Sequence, residues 1–329
     1  MTSLAPILES FFTRRLIGQR RASPNTVASY RDAFRLLLQY AHAETGKAPH
    51  ALDLEDLDAV FIGGYLTWLE SSRGSSIHTR NVRLAAIHAL FRYASYDYPE
   101  HAGLIQRVMA IPAKRAETAI VTYLTEEETG ALLNAPDATT WRGRRDRTLL
   151  LIMVVSGLRV SELVDLTAAD VHLDAGACLS CTGKGRKERI TPLNKEARTL
   201  LQKWMAEQQP LPNDALFPGI KGQKMTRDAI AKLVSRHAVT ASATCPSISA
   251  KAVSPHTLRH TCAVRLLQAG VDIATIALWL GHENIRTTQI YLHADLALKQ
   301  RALDRTAPPG NKPGRYRPPD ELLAFLEGL

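Results

Sequence analysis

Three proton-bearing side chains fall on one helical face in the stretch Ser254-Pro255-His256-Thr257-Leu258-Arg259-His260. Ser254 suits a helix cap and Pro255 the first helical turn, which sets His256, Arg259 and His260 at i, i+3 and i+4. Leu258, Cys262 and Leu266 form the opposite, core-facing stripe. Such a trio beside a helix N-terminus makes an anion site, although alone it reads equally as a solvated face. Leu280-Gly281-His282 follows, with Tyr291 nine residues beyond the histidine. Gly281 ends a helix over 273–280, and the segment up to the tyrosine has helical spacing with Ile285 and Ile290 inward. A single tyrosine or histidine is ordinarily a packing residue, so these two gain meaning only in combination. Upstream, Ser156-Gly157-Leu158-Arg159-Val160-Ser161-Glu162-Leu163 sets an arginine directly after an apolar helix, at a turn that glycine permits. A guanidinium in such surroundings needs an anion. Glu162 can supply it, and a purely structural Arg–Glu pair is the plain alternative. A basic hairpin tip, Thr182-Gly183-Lys184-Gly185-Arg186-Lys187-Glu188-Arg189, completes the set. Lys184 sits between two glycines, which lets the backbone approach a ligand closely.

The elements that carry these residues are mostly helices. Amphipathic spacing marks 4–17, which runs into the basic cluster Arg14, Arg15, Arg20 and Arg21. Ser23-Pro24 opens a second helix bearing Tyr30, Phe34, Leu37, Leu38 and Ala41, and further helices are expected over 56–71 and 76–96. A basic, then extended stretch from Ala113 to Tyr123 reads as a linker. Thr125 followed by three glutamates starts the next helix. A buried helix is expected over 145–155, with a short one through Leu166. The period then changes. Val171–Leu173, Cys178–Thr182 and Arg189–Leu193 alternate as a three-stranded antiparallel sheet. Helices resume at Lys195, around a loop over 241–251. The expected class is mainly α with a small antiparallel β-sheet.

Composition narrows the partners. The chain has 329 residues and a net charge of +9, with +2 of it in 1–112 and +7 in 113–329. That favours an anionic partner, nucleic acid first, with the second part making more of the phosphate contact. Glu9 interrupts the first apolar stretch and the basic residues follow it, unlike a secretory signal. The longest apolar run, Leu149 to Val155, is too short to span a bilayer. Cys178 and Cys181 form a lone CxxC on an alternating strand, where residues three apart face opposite ways, which suits neither a shared metal nor a redox pair. A reducing cytoplasm fits this cysteine usage.

In the order GLRxSEL, GKGxK, HTLRH, LGH and a tyrosine nine residues later, these motifs resemble those of the tyrosine recombinase (phage integrase) family, in its mobile-element or Xer-like branch. The resemblance covers the whole chain. It implies a helical, SAM-like core-binding domain over 1–112, a linker over 113–124, a mixed α/β catalytic domain over 125–306 and a tail over 307–329, the whole closing on double-stranded DNA as a C-shaped clamp. It further implies that Tyr291 attacks a backbone phosphate and forms a 3′-phosphotyrosine. Arg159 and Arg259 would grip the phosphate, His256 and His282 would donate to it and shuttle the nucleophile's proton, and Lys184 would be the general acid. Glu162 and His260 would orient these groups. Arg20, Arg21, Arg80, Arg186 and Lys187 are the expected DNA contacts. The cations do the work of a metal and the phosphotyrosine stores the broken bond's energy, so neither metal nor cofactor is expected. Four protomers would act on two DNA sites, with partner recombinases or directionality factors where the biology needs them. The apolar tail helix carrying Leu322, Leu323, Phe325, Leu326 and Leu329 follows a Pro/Gly linker and is expected to dock on a neighbouring protomer. Departures are conservative: Ser156 stands where threonine or another small residue is common, and the 241–251 loop is somewhat long. Two other readings remain at this point. One is a DNA-binding regulator without catalysis, with 273–292 as a helix-turn-helix; the other is a type IB topoisomerase or telomere resolvase.

Overall fold

Residues 2–115, 121–183, 188–282 and 284–294 are described by the computed structural model, and the chain divides into two units, Met1–Thr118 and Ala119–Leu329. The first unit is helical. Helix α1 (Leu4–Ser10) runs into a π-helical segment, Phe11–Gln19, so the expected first helix is longer and wider-wound than its spacing suggested. Ser23 Oγ accepts from the Thr26 amide at 3.2 Å, and with Pro24 in the first turn it starts α2 (Pro24–Thr45). Helix α3 (Ala59–Ser71) starts three residues later than expected. Asp58 accepts from the Phe61 amide at 2.8 Å and caps it, while Asp56 closes the preceding 3-10 turn by accepting from the Asp53 amide at 2.9 Å. Helices α4 (Ile77–Asp97) and α5 (Ala102–Met109) complete the unit around a core that includes Phe11, Phe34, Leu37, Tyr65, Leu66 and Phe91.

Arg80, expected to face DNA, is instead turned inward on α4. It is 6% exposed, its Nε lies 3.5 Å from Glu70, and Nη1 donates to Asn81 at 3.1 Å. Its place four residues before Leu84 and seven before Ile87 puts it on the core side of the helix, where Glu70 supplies the anion that a buried guanidinium requires. Arg20 and Arg21 are exposed.

The second unit begins with α6 (Glu126–Asn134), closed by the reciprocal cap of Thr125 and Glu128. Helix α7 (Trp141–Ser156) crosses the core with Leu149 to Val154 all buried. The short α8 (Val160–Asp165) leads into strands β1 (Val171–His172), β2 (Cys178–Thr182) and β3 (Glu188–Pro192), an antiparallel sheet in that order. Leu179 and Cys181 face the core, which fixes the face on which their cross-strand partners Thr191 and Arg189 stand. Helices α9 (Lys195–Gln208), α10 (Arg227–Ser242), α11 (Pro255–Gln268), α12 (Ile273–Leu280) and α13 (Arg286–Ala294) follow. The 241–251 stretch is not all loop. It holds the 3-10 segment Pro246–Ala250, after which Lys251 binds buried Glu128 at 2.6 Å. Among the described residues no helix is long and apolar enough to cross a membrane. Lys184, Arg186, Lys187 and the whole tail, including the apolar segment from Leu322, lie outside the described residues.

Candidate active site

Two helix ends build the site. Helix α7 stops at Gly157 (φ +62°) and α12 at Gly281 (φ +64°), left-handed positions that favour glycine. A Cβ on Gly157 would lie 2.5 Å from Leu280 Cδ2, so the two ends meet only because that side chain is missing. The last carbonyls of a helix have no intrahelical partner and carry the negative end of its dipole. Here arginines take them. Arg259 donates from Nη1 to Gly157 O and from Nη2 to Leu280 O, both at 2.6 Å, and Arg159 Nη2 donates to Gly281 O at 2.8 Å.

Arg259 comes from α11, which Ser254 caps and Pro255 opens as the spacing predicted. It is 4% exposed, and burial together with the neighbouring Arg159 brings its pKa down to about 10. Glu162 is the buried carboxylate beside them. Its oxygens accept from the Arg159 amide at 2.7 Å, from Arg159 Nη1 at 2.8 Å, and from both Nη atoms of Arg189 at 2.7 and 2.8 Å. Burial alone would raise its pKa, but these bonds hold it below the usual carboxylate range.

Arg189 was not anticipated as a site residue. It belongs to β3 opposite Cys181, on the core-facing side of the sheet. A cation alternating with the core positions of a strand was the available signal, and it was read only as part of a basic hairpin. Two guanidinia, those of Arg159 and Arg189, thus bind one carboxylate, and that of Arg259 lies close enough to feel its charge. Beside them opens a cleft of ≈ 500 Å³ lined by Arg159, Arg189, Gly281 and His282 among others.

Tyr291 lies on α13 and is 1% exposed. Its hydroxyl is 3.0 Å from His260 Nδ1. Burial pushes its pKa up to about 12, against the pull of Arg259 and Arg159. The His282 ring stacks near-parallel to the Tyr291 ring, with centroids 6.5 Å apart, and His282 Nδ1 is hydrogen-bonded to the buried Thr288 hydroxyl at 2.7 Å. Burial first, then the arginines, lowers the His282 pKa to about 4. Burial first, then His256 and Arg259, does the same for His260. His256 is exposed, with its ring 6.4 Å from that of His260. The structure therefore brings Arg159, Arg259, Glu162, His260, His282 and Tyr291 together, adds Arg189 and Thr288, and leaves His256 at the rim. Ile285, expected inward, is 44% exposed, because α13 begins only at Arg286 and the turn before it follows no helical face.

Residues 122–297 match the phage integrase family, and residues 10–96 match the phage integrase N-terminal SAM-like domain. The chain belongs to the phage integrase family. It is a tyrosine-type, site-specific recombinase. The y4rC protein of Sinorhizobium fredii, named as an integrase/recombinase, is 50% identical over 99% of this chain and 98% of its own length. The tyrosine recombinase XerC of Pelobacter propionicus is 32% identical over 94% of this chain and 99% of its own length. Among solved structures, XerH bound to difH before cleavage is 25% identical with a TM-score of 0.66, covering 89% of this chain and 83% of that one. The Tn1549 transposon integrase with transposon right-end DNA shares the fold, with a TM-score of 0.71 at 18% identity over 93% of this chain and 100% of that one.

Proposed function

We propose that this recombinase cleaves and rejoins double-stranded DNA through a 3′-phosphotyrosine on Tyr291, in the integration, excision or transposition of a mobile element. The observation that carries the reading is the charge surplus among the described buried groups: Arg159 and Arg189 bind the carboxylate of Glu162, and Arg259 is buried beside them with only backbone carbonyls as partners, next to a buried phenol. A scissile phosphodiester supplies the missing anion, and its non-bridging oxygens gain charge as the tyrosine attacks. Each guanidinium carries five N–H donors, more than Arg159 and Arg259 use on their partners among the described residues, and permanent charge with fork geometry suits them to the task. His282 and, from the rim, His256 add donors to the same phosphate. Glu162 holds Arg159 and Arg189 in place. Lys184 is the general acid for the leaving 5′ oxygen in this reading, on its place in the GKGxK motif. No metal is required, since the guanidinia provide the charge. Arg20, Arg21, Arg186 and Lys187 contact DNA; Arg80, buried against Glu70, is left out. Four protomers act together, and the apolar tail helix links neighbours.

The test is a plasmid carrying two copies of the DNA that flanks the protein's own coding sequence, incubated with the purified protein. Exchange of markers between the copies is expected, and an Arg259→Ala variant should yield none. Relaxation of any supercoiled plasmid without exchange points to a topoisomerase. Specific binding with neither outcome points to a regulator.

A further inference from the structure

His282 lines the same cleft as Arg159 and Arg189. The end of α12 fixes its backbone: the Gly281 amide donates to Leu278 O at 3.0 Å and the His282 amide to Ala277 O at 2.9 Å. Those bonds set the His282 Cα and leave the ring free to turn. Burial, then the surrounding arginines, brings the ring's pKa to about 4, so at neutral pH it carries a single proton. A neutral imidazole donates from one nitrogen and accepts at the other, and its hydrogen bonds decide which does which.

The partner here is Thr288. It is 0% exposed, and its hydroxyl lies 2.7 Å from His282 Nδ1. Buried Thr261 donates its hydroxyl to the carbonyl one turn back, Thr257 O, at 2.8 Å, whereas the hydroxyl of Thr288 has the imidazole as its partner among the described residues. Were Nδ1 to carry the ring proton, Thr288 would accept it, and its own hydrogen would be buried with nothing to receive it. With the proton on Nε2, Thr288 donates to the Nδ1 lone pair and both groups are satisfied. Nε2 has no hydrogen-bond partner among the described residues, and in this tautomer it is a free donor on the other side of the ring.

We infer that Thr288 is a positioning residue that holds His282 in its Nε2-protonated form and so supplies an N–H to the scissile phosphate. The inference rests on the reading that the phosphate binds beside Arg159 and Arg259. The opposite tautomer would turn a lone pair toward an anion, which repels it. Thr288 also stands three residues before Tyr291 on α13, on the same helical face. The His282 ring lies near-parallel to the Tyr291 ring, with centroids 6.5 Å apart. One helix therefore places the nucleophile and prepares the donor together, and a site in which α13 is displaced loses both.

Two measurements on the full-length protein test the assignment. The first needs no DNA: nitrogen NMR of isotope-labelled histidine side chains shows which nitrogen of each ring is protonated, with His282→Ala marking the signals that belong to that ring. The wild type should show His282 protonated at Nε2 alone, and Thr288→Ser should keep that pattern. Thr288→Val, equal in shape but without a hydroxyl, should give a mixture of tautomers. The second is single-turnover formation of the covalent adduct on nicked duplexes drawn from the DNA flanking the coding sequence. Thr288→Val should slow it by about 10–100-fold, short of the outright loss of a preorganised donor, and Thr288→Ser should recover most of the rate. In a His282→Ala background Thr288→Val should add little, because no imidazole remains to be held. A wild-type His282 protonated at Nδ1 would overturn the inference. So would equal slowing by Thr288→Val with and without His282, which would make Thr288 a packing residue of α13. An adduct that persists in Tyr291→Phe, or none from the wild type on any of these duplexes, would sink the nucleophile reading, and the spectra would still decide the tautomer.

Discussion

Asp146 and Glu162 are both buried carboxylates of the second unit, 1% and 5% exposed, and arginine meets each of them. Asp146 is gripped by Arg145 at 2.9 and 2.8 Å, is 2.8 Å from His237 Nε2, and accepts from Arg236 at 2.9 Å. Arg236 keeps its side chain 62% exposed, so water solvates that charge, and the buried part of the cluster is one guanidinium against one carboxylate. Around Glu162 the balance differs. Arg159 and Arg189 share one buried anion, and Arg259 beside them, held among the described residues only by backbone carbonyls, has its pKa pulled down by burial and by its neighbour. A structural ion pair closes its own charge, whereas a site that waits for an anionic substrate leaves charge open and relies on helix-end carbonyls in the meantime.

The sharpest way to break this comparison is to exchange the consequences of mutation. Arg259→Ala should lower adduct formation by about 10²–10³-fold, the usual effect of losing one preorganised donor, with a smaller change in melting than the Asp146 variant. Asp146→Ala should strand the Arg145 charge and destabilise the unit by about 3–5 kcal/mol in denaturant unfolding, while the folded fraction cleaves DNA within a few-fold of wild type. The reverse ranking would end the distinction between the clusters.

An anion should also tell them apart. Sulfate at ten times its dissociation constant stabilises a site by about 1.4 kcal/mol. The wild type should show that gain in thermal unfolding and Arg159→Gln should lose it, whereas Asp146→Ala should keep it.

Acid should act on the open site in the same way. His260 and His282 titrate at about 4 in the fold, against an ordinary 6.5. Between those values the unfolded chain binds more protons than the native one, so their contribution is full above about pH 6.5 and is lost as the pH falls toward 4. Melting temperatures between pH 4 and 8 should show this loss, and sulfate should lessen it. A flat profile would mean that neither burial nor the neighbouring charges disfavour protonation of these imidazoles.

An effect on stability similar in size to that of sulfate is expected at Gly281. Alanine there must hold φ +64° and brings a Cβ to 2.8 Å from Arg189 Nη1, for a loss of about 1–2 kcal/mol in stability and a modest drop in cleavage as Arg189 shifts.

Much of this was legible in the chain because it depends on local rules. Ser23, Thr125 and Ser254 cap the helices they were expected to cap, since a capping oxygen acts within three residues. Alternation gave the sheet to within a residue or two at each end. What escaped depends on the tertiary partner. Arg80 and Arg189 are cations whose burial is matched by Glu70 and Glu162, each on a different element. Asp56 and Asp58 both suit a cap, and only packing selects the second for α3. Ile285 follows a helical period that begins one residue too late to include it. The contact between His260 and Tyr291 joins α11 to α13, and no spacing rule connects them.

The central claim is that Tyr291 carries the DNA strand. Covalent adduct formed on nicked flanking duplexes, digested with nuclease and protease and read by mass spectrometry, tests it directly. A nucleotide remnant, linked through its 3′ phosphate, on the peptide that contains Tyr291 is the result this account predicts. A remnant on another residue, or an adduct of equal yield from Tyr291→Phe, would contradict it.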